Sequence, residues 1–243
     1  MPVGGRGEPS RAATDRLLGE LHVGRWRPRA WRGFLIGAAA RSVGQAAAHP
    51  RALAEASLLH GLFALVANRA TNTPTRWRWI ATSWVLTALH LGMLESAPSL
   101  GAANALTLGH ANLPVAGAGL GRWIGVVALT TDFVDGKLAR RTSTTTAFGT
   151  YADPFADMVF WIWLVFRDGN APRGSRAAVA LTWLAPAATV TTQSFRRGRM
   201  LEPPRPRKFR PAVALQILLA AHCLRRRHLS AAPHESPLSR RFR

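Results

Sequence analysis

The sequence predicts an all-α fold, a multi-pass transmembrane helical bundle of about six spans. Hydrophobic residues make up only 48% of the chain, but they gather into long runs, which are typical of membrane helices. Arginine clusters separate these runs, as expected where basic side chains stay in the headgroup region on one side of a bilayer. At 243 residues the chain has room for one such domain, and its composition requires no second folded unit.

The positive charge of the chain favours a membrane surface as its partner. Formal net charge is +20, and basic patches bind the phosphates of nucleic acids as well as anionic lipid headgroups. The arginines flank apolar runs, and the sequence has no nucleic-acid motif with interleaved aromatic residues. We therefore expect membrane lipids as partners and no nucleic acid. The one cysteine, Cys223, excludes an intrachain disulfide and is interpreted as a buried structural thiol.

Composition also predicts how the chain is organised. Residues 1–28 are polar and are interpreted as a mobile arm, within which only the stretch from Arg11 to Leu21 could form a short amphipathic helix. Residues 29–47 mix large apolar side chains with arginines, a pattern suited to lying in the headgroup region; a further span is the alternative. We predict three parts: a basic arm and interfacial helix at 1–50, a membrane-embedded domain with the candidate site at 51–225, and a basic C-terminal tail at 226–243.

The apolar runs predict six crossings, judged against the roughly 20 apolar residues that one crossing requires. No Lys or Arg occurs from Trp79 to Gly121, so we expect the connection at 96–110 to be extracytoplasmic. The N-terminus lacks the apolar core of a secretory signal, so insertion would depend on internal helices. The predicted spans are 52–68, 79–95, 111–134, 151–166, 177–195 and 211–224, and the predicted cytoplasmic segments are 69–78, 136–150 and 196–210.

A cluster of aspartates is the most informative feature of the sequence. Asp132 and Asp135 are three residues apart, and Asp153 and Asp157 are four apart, so each pair shares one face of a helix. Neighbouring carboxylates repel one another and are costly in a membrane helix unless a cation neutralises them. Oxygen ligands suit Mg²⁺, Mn²⁺ or Ca²⁺. Two ions shared by four carboxylates would hold the attacking and leaving oxygens of a phosphoryl transfer.

The structural alternative is that these aspartates cap helices or pair with nearby basic residues. Asp153 is followed by Pro154, which makes it a good helix start because proline is tolerated in the first turn. Capping explains one aspartate and leaves the two spaced pairs unexplained, so we favour a metal site. Gly136 and Gly149 lack side chains and leave room for a large polar substrate.

The segment reads Asp132-x2-Asp135-Gly136-x2-Ala139-Arg140-x8-Gly149-x3-Asp153-x3-Asp157 and resembles the signature of the CDP-alcohol phosphatidyltransferases in every element. The resemblance covers these 26 residues and, more loosely, the flanking apolar helices. It implies membrane-embedded helical enzymes, commonly homodimers, with the motif on two helices near the cytoplasmic face of the cell membrane. It further implies that two metal ions, Mg²⁺ or Mn²⁺, are bound by Asp132, Asp135, Asp153 and Asp157. Asp157 would also be the catalytic base for the acceptor hydroxyl. The CDP moiety would be contacted by Gly136, Ala139, Arg140 and Gly149.

The sequence departs from the family pattern at two positions. Upstream, Asn104-x-Leu106-Thr107 is similar to a pattern found before the signature, but His110 stands where an arginine is usual. A contact to substrate and a packing role are both open for His110. Met158 stands where a lysine is frequent, which leaves the acidic cluster with one fewer nearby cation.

The resemblance implies transfer of a phosphatidyl group, or a related phosphoalcohol, in phospholipid biosynthesis. The donor would be CDP-linked, such as CDP-diacylglycerol, the acceptor a polar alcohol that the fold does not specify, and the released product CMP. Arg196, Arg197 and Arg199 are candidates to bind an acceptor phosphate, with topogenic anchoring as the alternative. A noncatalytic membrane scaffold with a structural metal site is the alternative function. A transporter is a third, although its carboxylates would be expected near the membrane midplane.

Overall fold

The structure, a computed structural model, describes residues 8–69, 74–141, 145–167, 173–201 and 210–225. Over these residues the chain is helical, which confirms the all-α prediction. The α-helices are α1 (Ser10–Val23), α2 (Pro28–Ala48), α3 (Pro50–Arg69), α4 (Pro74–His90), α5 (Gly101–Ala111), α6 (Leu113–Leu120), α7 (Ile124–Arg141), α8 (Ala147–Arg167), α9 (Arg173–Val179), α10 (Ala185–Arg197) and α11 (Arg210–Arg225). The predicted C-terminal tail at 226–243 lies outside the described residues.

Several helices coincide with predicted apolar runs. The runs at 52–68, 151–166 and 211–224 correspond to α3, α8 and α11, with boundaries that differ by a few residues. Prolines begin α2, α3 and α4, as expected because the first turn of a helix tolerates a residue without an N–H donor. A π-helical turn, Ala180–Leu184, joins α9 to α10. Among the described residues, no helix combines the length and apolar character that a membrane crossing requires.

The run at 111–134, predicted as one crossing, is divided in two. The short helix α6 ends at Leu120, and a 3₁₀ turn, Gly121–Trp123, precedes α7. Gly121 has φ of 49°, a left-handed conformation that glycine adopts without the steric cost of a Cβ. Counting apolar residues missed this break because it gave no weight to a glycine that ends a helix.

The segment at 96–110, predicted as an external connection, instead contains α5. This helix packs against both α7 and α8, and its residues Asn104, Thr107 and Leu108 are buried. The absence of Lys and Arg here reflects burial within the protein. A lack of basic residues is therefore no sign of the extracytoplasmic side at this segment.

The N-terminal segment, predicted to be a mobile arm, instead contains the packed helix α1 at the stretch that was considered for an amphipathic helix. Its residues Leu17, Leu18 and Leu21 are buried, and the helix packs against α2 and α10. Oδ1 of Asp15 accepts a hydrogen bond of 2.5 Å from the backbone N–H of Met200. These contacts fix α1 against the segment that follows α10.

The largest buried core lies between α7, α8 and α11. Phe160 and Trp161 of α8 are fully buried, and they pack with Ile124 of α7 and Leu219 of α11. A second core joins α3, α5 and the first turn of α8 around Phe148. Because α8 contributes to both cores, its polar face is held in a fixed position relative to α5 and α7.

Candidate active site

Three of the four motif aspartates lie together where α7 and α8 meet. Asp132 and Asp135 are one turn apart on α7, and Asp153 lies on α8. One carboxylate oxygen from each can be chosen so that all three atoms lie within 4.8 Å of one another. Three carboxylate oxygens at this spacing form the hard donor set that Mg²⁺ and Mn²⁺ prefer. The residues present therefore fit a divalent ion, and we call these three side chains the carboxylate cluster.

The start of α8 is set by a threonine and not by an aspartate. Oγ1 of Thr146, the residue before the helix, accepts a hydrogen bond of 3.1 Å from the backbone N–H of Gly149, the usual N-cap contact. The sequence alternative in which Asp153 begins the helix is therefore wrong, since Pro154 lies within α8. Asp153 is left free to face the aspartates of α7.

A close approach between α5 and α8 depends on Gly149. A Cβ built on this glycine would lie 2.7 Å from Oδ1 of Asn104, which is closer than real Cβ contacts. Nδ2 of Asn104 donates to Oγ1 of Thr146 over 3.2 Å and to the carbonyl of Leu100 over 2.7 Å. The glycine and the buried amide thus bring the first turn of α8 against α5. This contact fixes the position of Asp153, which lies one turn further along α8.

Within the cluster, Asp135 is held from α5. The side chain of Asp135 is buried, and the hydroxyl of Thr107 donates a hydrogen bond of 3.0 Å to its Oδ2. Burial raises the pKa of the Asp135 carboxyl, and the Thr107 hydrogen bond opposes that rise. A buried carboxylate beside two others is stabilised as an anion when a cation is bound.

Asp157 does not belong to the carboxylate cluster. Its Oδ1 accepts a hydrogen bond of 3.2 Å from the indole Nε1 of Trp161, and its Oδ2 accepts one of 2.9 Å from Nε2 of Gln216 on α11. Nε2 of His110 lies 3.3 Å from Oδ1. Both carboxylate oxygens therefore have partners from the protein itself.

The buried ring of His110 lies beside Asp157. Its Nδ1 lies 3.0 Å from Oγ1 of Thr131, a hydroxyl within donating distance of the carbonyls of Val127 and Ala128. The Thr131 oxygen therefore accepts the Nδ1 proton, and Nε2 can donate to Asp157 only when the ring is protonated. Burial alone would lower the pKa of His110, but the contact with Asp157 and the other nearby carboxylates outweigh burial and raise it.

The structure also locates the residues predicted to contact CDP. Gly136 follows Asp135 directly, and Nη1 of Arg140 lies 3.3 Å from the position that a Cβ of Gly136 would occupy. The guanidinium of Arg140 thus lies over the glycine at an exposed edge next to the cluster. Ala139 is part of α7, but its side chain is outside what the structure describes. Met158 packs against the main core.

The arginines predicted to bind an acceptor phosphate lie at the end of α10. Arg196 and Arg197 occupy its last turn and Arg199 follows it, and all three are exposed. The described contacts of the aspartates do not include these arginines. The neighbouring Phe195 packs against Trp26, Trp31 and Phe34 from the N-terminal part of the chain.

Sequence reasoning missed Thr107 and Gln216 as site residues and left His110 open. Gln216 had a usable signal, since it is the one polar side chain in the apolar stretch from Ala212 to Ala221. A buried amide in such a stretch requires a hydrogen-bond partner. Neither Thr107 nor His110 had a comparable signal, because other polar residues, Asn104 and Asn112, lie close to them in the sequence.

Comparison with known proteins gives one finding. Residues 105–224 match the family model described as CDP-alcohol phosphatidyltransferase. The match begins within α5 and ends within α11, so it includes all four motif aspartates and excludes α1 to α4. A search of curated proteins and a search of solved structures found no match to the chain.

Proposed function

The chain carries a CDP-alcohol phosphatidyltransferase domain over residues 105–224, and from this premise we propose its reaction. A phosphatidyl group, or a related phosphoalcohol, passes from a CDP-linked donor such as CDP-diacylglycerol to a polar alcohol, and CMP is released, in phospholipid biosynthesis. The observation that carries this proposal is the carboxylate cluster, because its three oxygens within 4.8 Å suit the divalent ions that the family uses.

The residues of the cluster would hold the cation. We propose Asp132, Asp135 and Asp153 as its ligands, with Asp157 completing a site for two ions, Mg²⁺ or Mn²⁺. When bound, the ions neutralise the diphosphate of the donor and stabilise the charge that develops on CMP as it leaves. The Thr107 hydrogen bond orients the Asp135 carboxylate toward this site.

Asp157 is also the proposed base for the acceptor hydroxyl. A carboxylate has about four acceptor positions, two on each oxygen. Trp161 and His110 lie at Oδ1 and Gln216 lies at Oδ2, so one acceptor position of Oδ2 remains, and a metal ion and an incoming hydroxyl would occupy it in turn. A carboxylate in this position is a suitable general base, because it lies within reach of a hydroxyl that binds beside the carboxylate cluster.

The other site residues are assigned to the two substrates. Gly136, Ala139, Arg140 and Gly149 would contact the CDP moiety, with Arg140 offering a planar guanidinium to a phosphate. Arg196, Arg197 and Arg199 would bind an acceptor that carries its own phosphate. This assignment rests on their charge and exposure.

We further propose a homodimer in the cell membrane, multi-pass and with the active site facing the cytoplasm. Family members are generally membrane-embedded. Support comes from large apolar side chains on the surface of the helices that precede the matched residues, since a soluble monomer rarely exposes so many together. Exposed examples are Leu35, Ile36 and Val43 on α2, Leu58, Leu62 and Leu65 on α3, and Trp84, Val85 and Leu89 on α4.

The reaction is tested with purified protein, Mn²⁺ and a panel of alcohols. The panel includes glycerol phosphate, an inositol phosphate and their unphosphorylated counterparts, each with CDP-diacylglycerol. We expect CMP release that depends on one alcohol and yields an equal amount of new lipid. If the protein binds Mn²⁺ but releases no CMP with any pair of donor and acceptor, including CDP-choline with diacylglycerol, the proposal is contradicted. That result would support a scaffold with a structural metal site.

A further inference from the structure

A cavity lies on the side of α5 and α8 that faces α4, a helix outside the matched residues. Its volume is about 610 Å³, within the range of roughly 300 to 1,000 Å³ that is usual for ligand pockets. Trp79 and Leu86 of α4 form one wall, and Phe148 and Phe155 of α8 form the other. The cavity therefore lies between α4 and the residues that match the family model.

Most residues in these walls are apolar, and two of the polar side chains, Ser83 and Thr87, are already paired with other protein groups. Oγ of Ser83 lies 2.9 Å from Nε2 of His60 and 2.9 Å from Nδ2 of Asn112. The hydroxyl of Thr87 donates to the carbonyl of Ser83 over 2.8 Å. These groups have little hydrogen-bonding capacity left for a ligand, so the cavity suits a hydrocarbon better than a sugar or a nucleotide.

One residue belongs to both the cavity and the carboxylate cluster. Thr107 of α5 lines the cavity, and its hydroxyl donates to Oδ2 of Asp135 over 3.0 Å. A molecule that binds the cluster through phosphates thus has its apolar part within reach of the cavity. The donor is that molecule, since its diphosphate is the group that a cation at the cluster would neutralise, whereas a polar alcohol has no long chain to place.

We propose that this cavity binds one hydrocarbon chain of the donor lipid. The inference rests on the proposed function. In it, α4 selects donors by the length of their hydrocarbon chains. The contacts to the cytidine and the diphosphate are made by α7 and α8. A donor with short chains would use only those contacts, and a donor with long chains would gain binding energy from the burial of its methylenes.

A pair of neighbouring substitutions on α4 tests this. Leu86→Trp adds volume to a side chain that lines the cavity, whereas Val85→Trp adds similar bulk at an exposed neighbour that is not among the lining residues. CMP release is measured with CDP-dibutanoylglycerol and with CDP-dioleoylglycerol. We expect Leu86→Trp to raise the KM for the long-chain donor about 10-fold or more, as expected when a pocket no longer admits several methylenes. The KM for the short-chain donor should stay unchanged, which also shows that the variant is folded.

The inference is overturned if Leu86→Trp changes both donors equally, changes neither, or acts no differently from Val85→Trp. A second measurement needs no turnover: CDP-diacylglycerol with a diazirine near the end of one chain is photocrosslinked and mapped by mass spectrometry. We expect labels on α4 that Leu86→Trp removes. Labels elsewhere overturn the inference even where CMP is released, and labels on α4 without any CMP release contradict the proposed function alone.

Discussion

The side-chain amide of Gln216 on α11 donates a hydrogen bond of 2.9 Å to Oδ2 of Asp157 on α8. Gln216 is buried, so water does not compete for this contact. Trp161 and His110 lie at the other oxygen of the same carboxylate. The orientation of Asp157 is therefore set from α5, α8 and α11 at once, while the cluster of the other three aspartates is built from α7 and α8 alone.

Replacement of Gln216 should slow the reaction while leaving the metal site intact. Gln216→Leu removes the donor that orients Asp157, and loss of such a supporting contact typically costs about 10- to 100-fold. Turnover should fall within that range, with Mn²⁺ affinity changed little. Gln193→Leu, at an exposed position on α10, is the matched control. An equal loss of metal affinity and turnover would show that the Asp157 carboxylate oriented by Gln216 acts chiefly as a metal ligand and not as the base.

Asp157→Asn should separate donor binding from chemistry. The substitution removes the base, and losing a general base typically costs roughly 100-fold or more in rate. The new amide nitrogen must also face one of the present donors, so thermal unfolding is measured alongside. We expect the affinity for the CDP donor to be retained while CMP release falls. A matching loss of both would make Asp157 chiefly a metal ligand, and normal turnover would remove it from the mechanism.

Each aspartate of the carboxylate cluster should be required for metal binding. Asp132→Asn, Asp135→Asn and Asp153→Asn each remove one charged oxygen ligand from a shared site, so Mn²⁺ affinity and activity should both fall sharply. Isothermal titration with Mn²⁺ measures the affinity. Glu20→Gln, a surface carboxylate on α1, is the control and should bind Mn²⁺ as the unmodified chain does. Unchanged affinity in all three variants would show that the ion binds elsewhere.

Gly149 should tolerate no side chain. Gly149→Ala places a Cβ 2.7 Å from Oδ1 of Asn104, so α5 and α8 must separate, at a cost of about 1 to 3 kcal/mol in the free energy of unfolding. Gly61→Ala on α3 is the control, since a Cβ there meets nothing within 4 Å and should stabilise the helix by about 0.5 to 1 kcal/mol. Thermal unfolding compares the two. Equal stabilities would show that α5 and α8 are less closely packed than described.

The sequence predicts the helices better than it predicts their arrangement. Apolar runs located α3, α8 and α11 because a helix buries a stripe of its own residues, which is a local property. The same counting joined α6 to α7 because it gave no weight to Gly121, which ends a helix. The absence of Lys and Arg led to the prediction of an external connection in place of α5, because missing charge is shared by such a connection and by a helix buried in the protein.

The aspartate spacing predicted which carboxylates share a helix face, and the structure brings three of them together. Asp157 differs because its partners, His110 and Gln216, come from helices that are distant along the chain. Spacing within one helix carries no information about such contacts. The role of each aspartate in metal binding and catalysis remains a prediction, for which the variants above provide the tests.

The most direct test of the central claim is whether CMP release depends on a metal held by the carboxylate cluster. CMP release from CDP-diacylglycerol with a productive alcohol is measured with the native chain and with Asp135→Asn, each with Mn²⁺, with a chelator, and with Mn²⁺ restored. The account predicts that the native chain loses activity with the chelator and regains it with Mn²⁺, and that Asp135→Asn is inactive throughout. CMP release that persists in the chelator, or that Asp135→Asn retains in full, would contradict it.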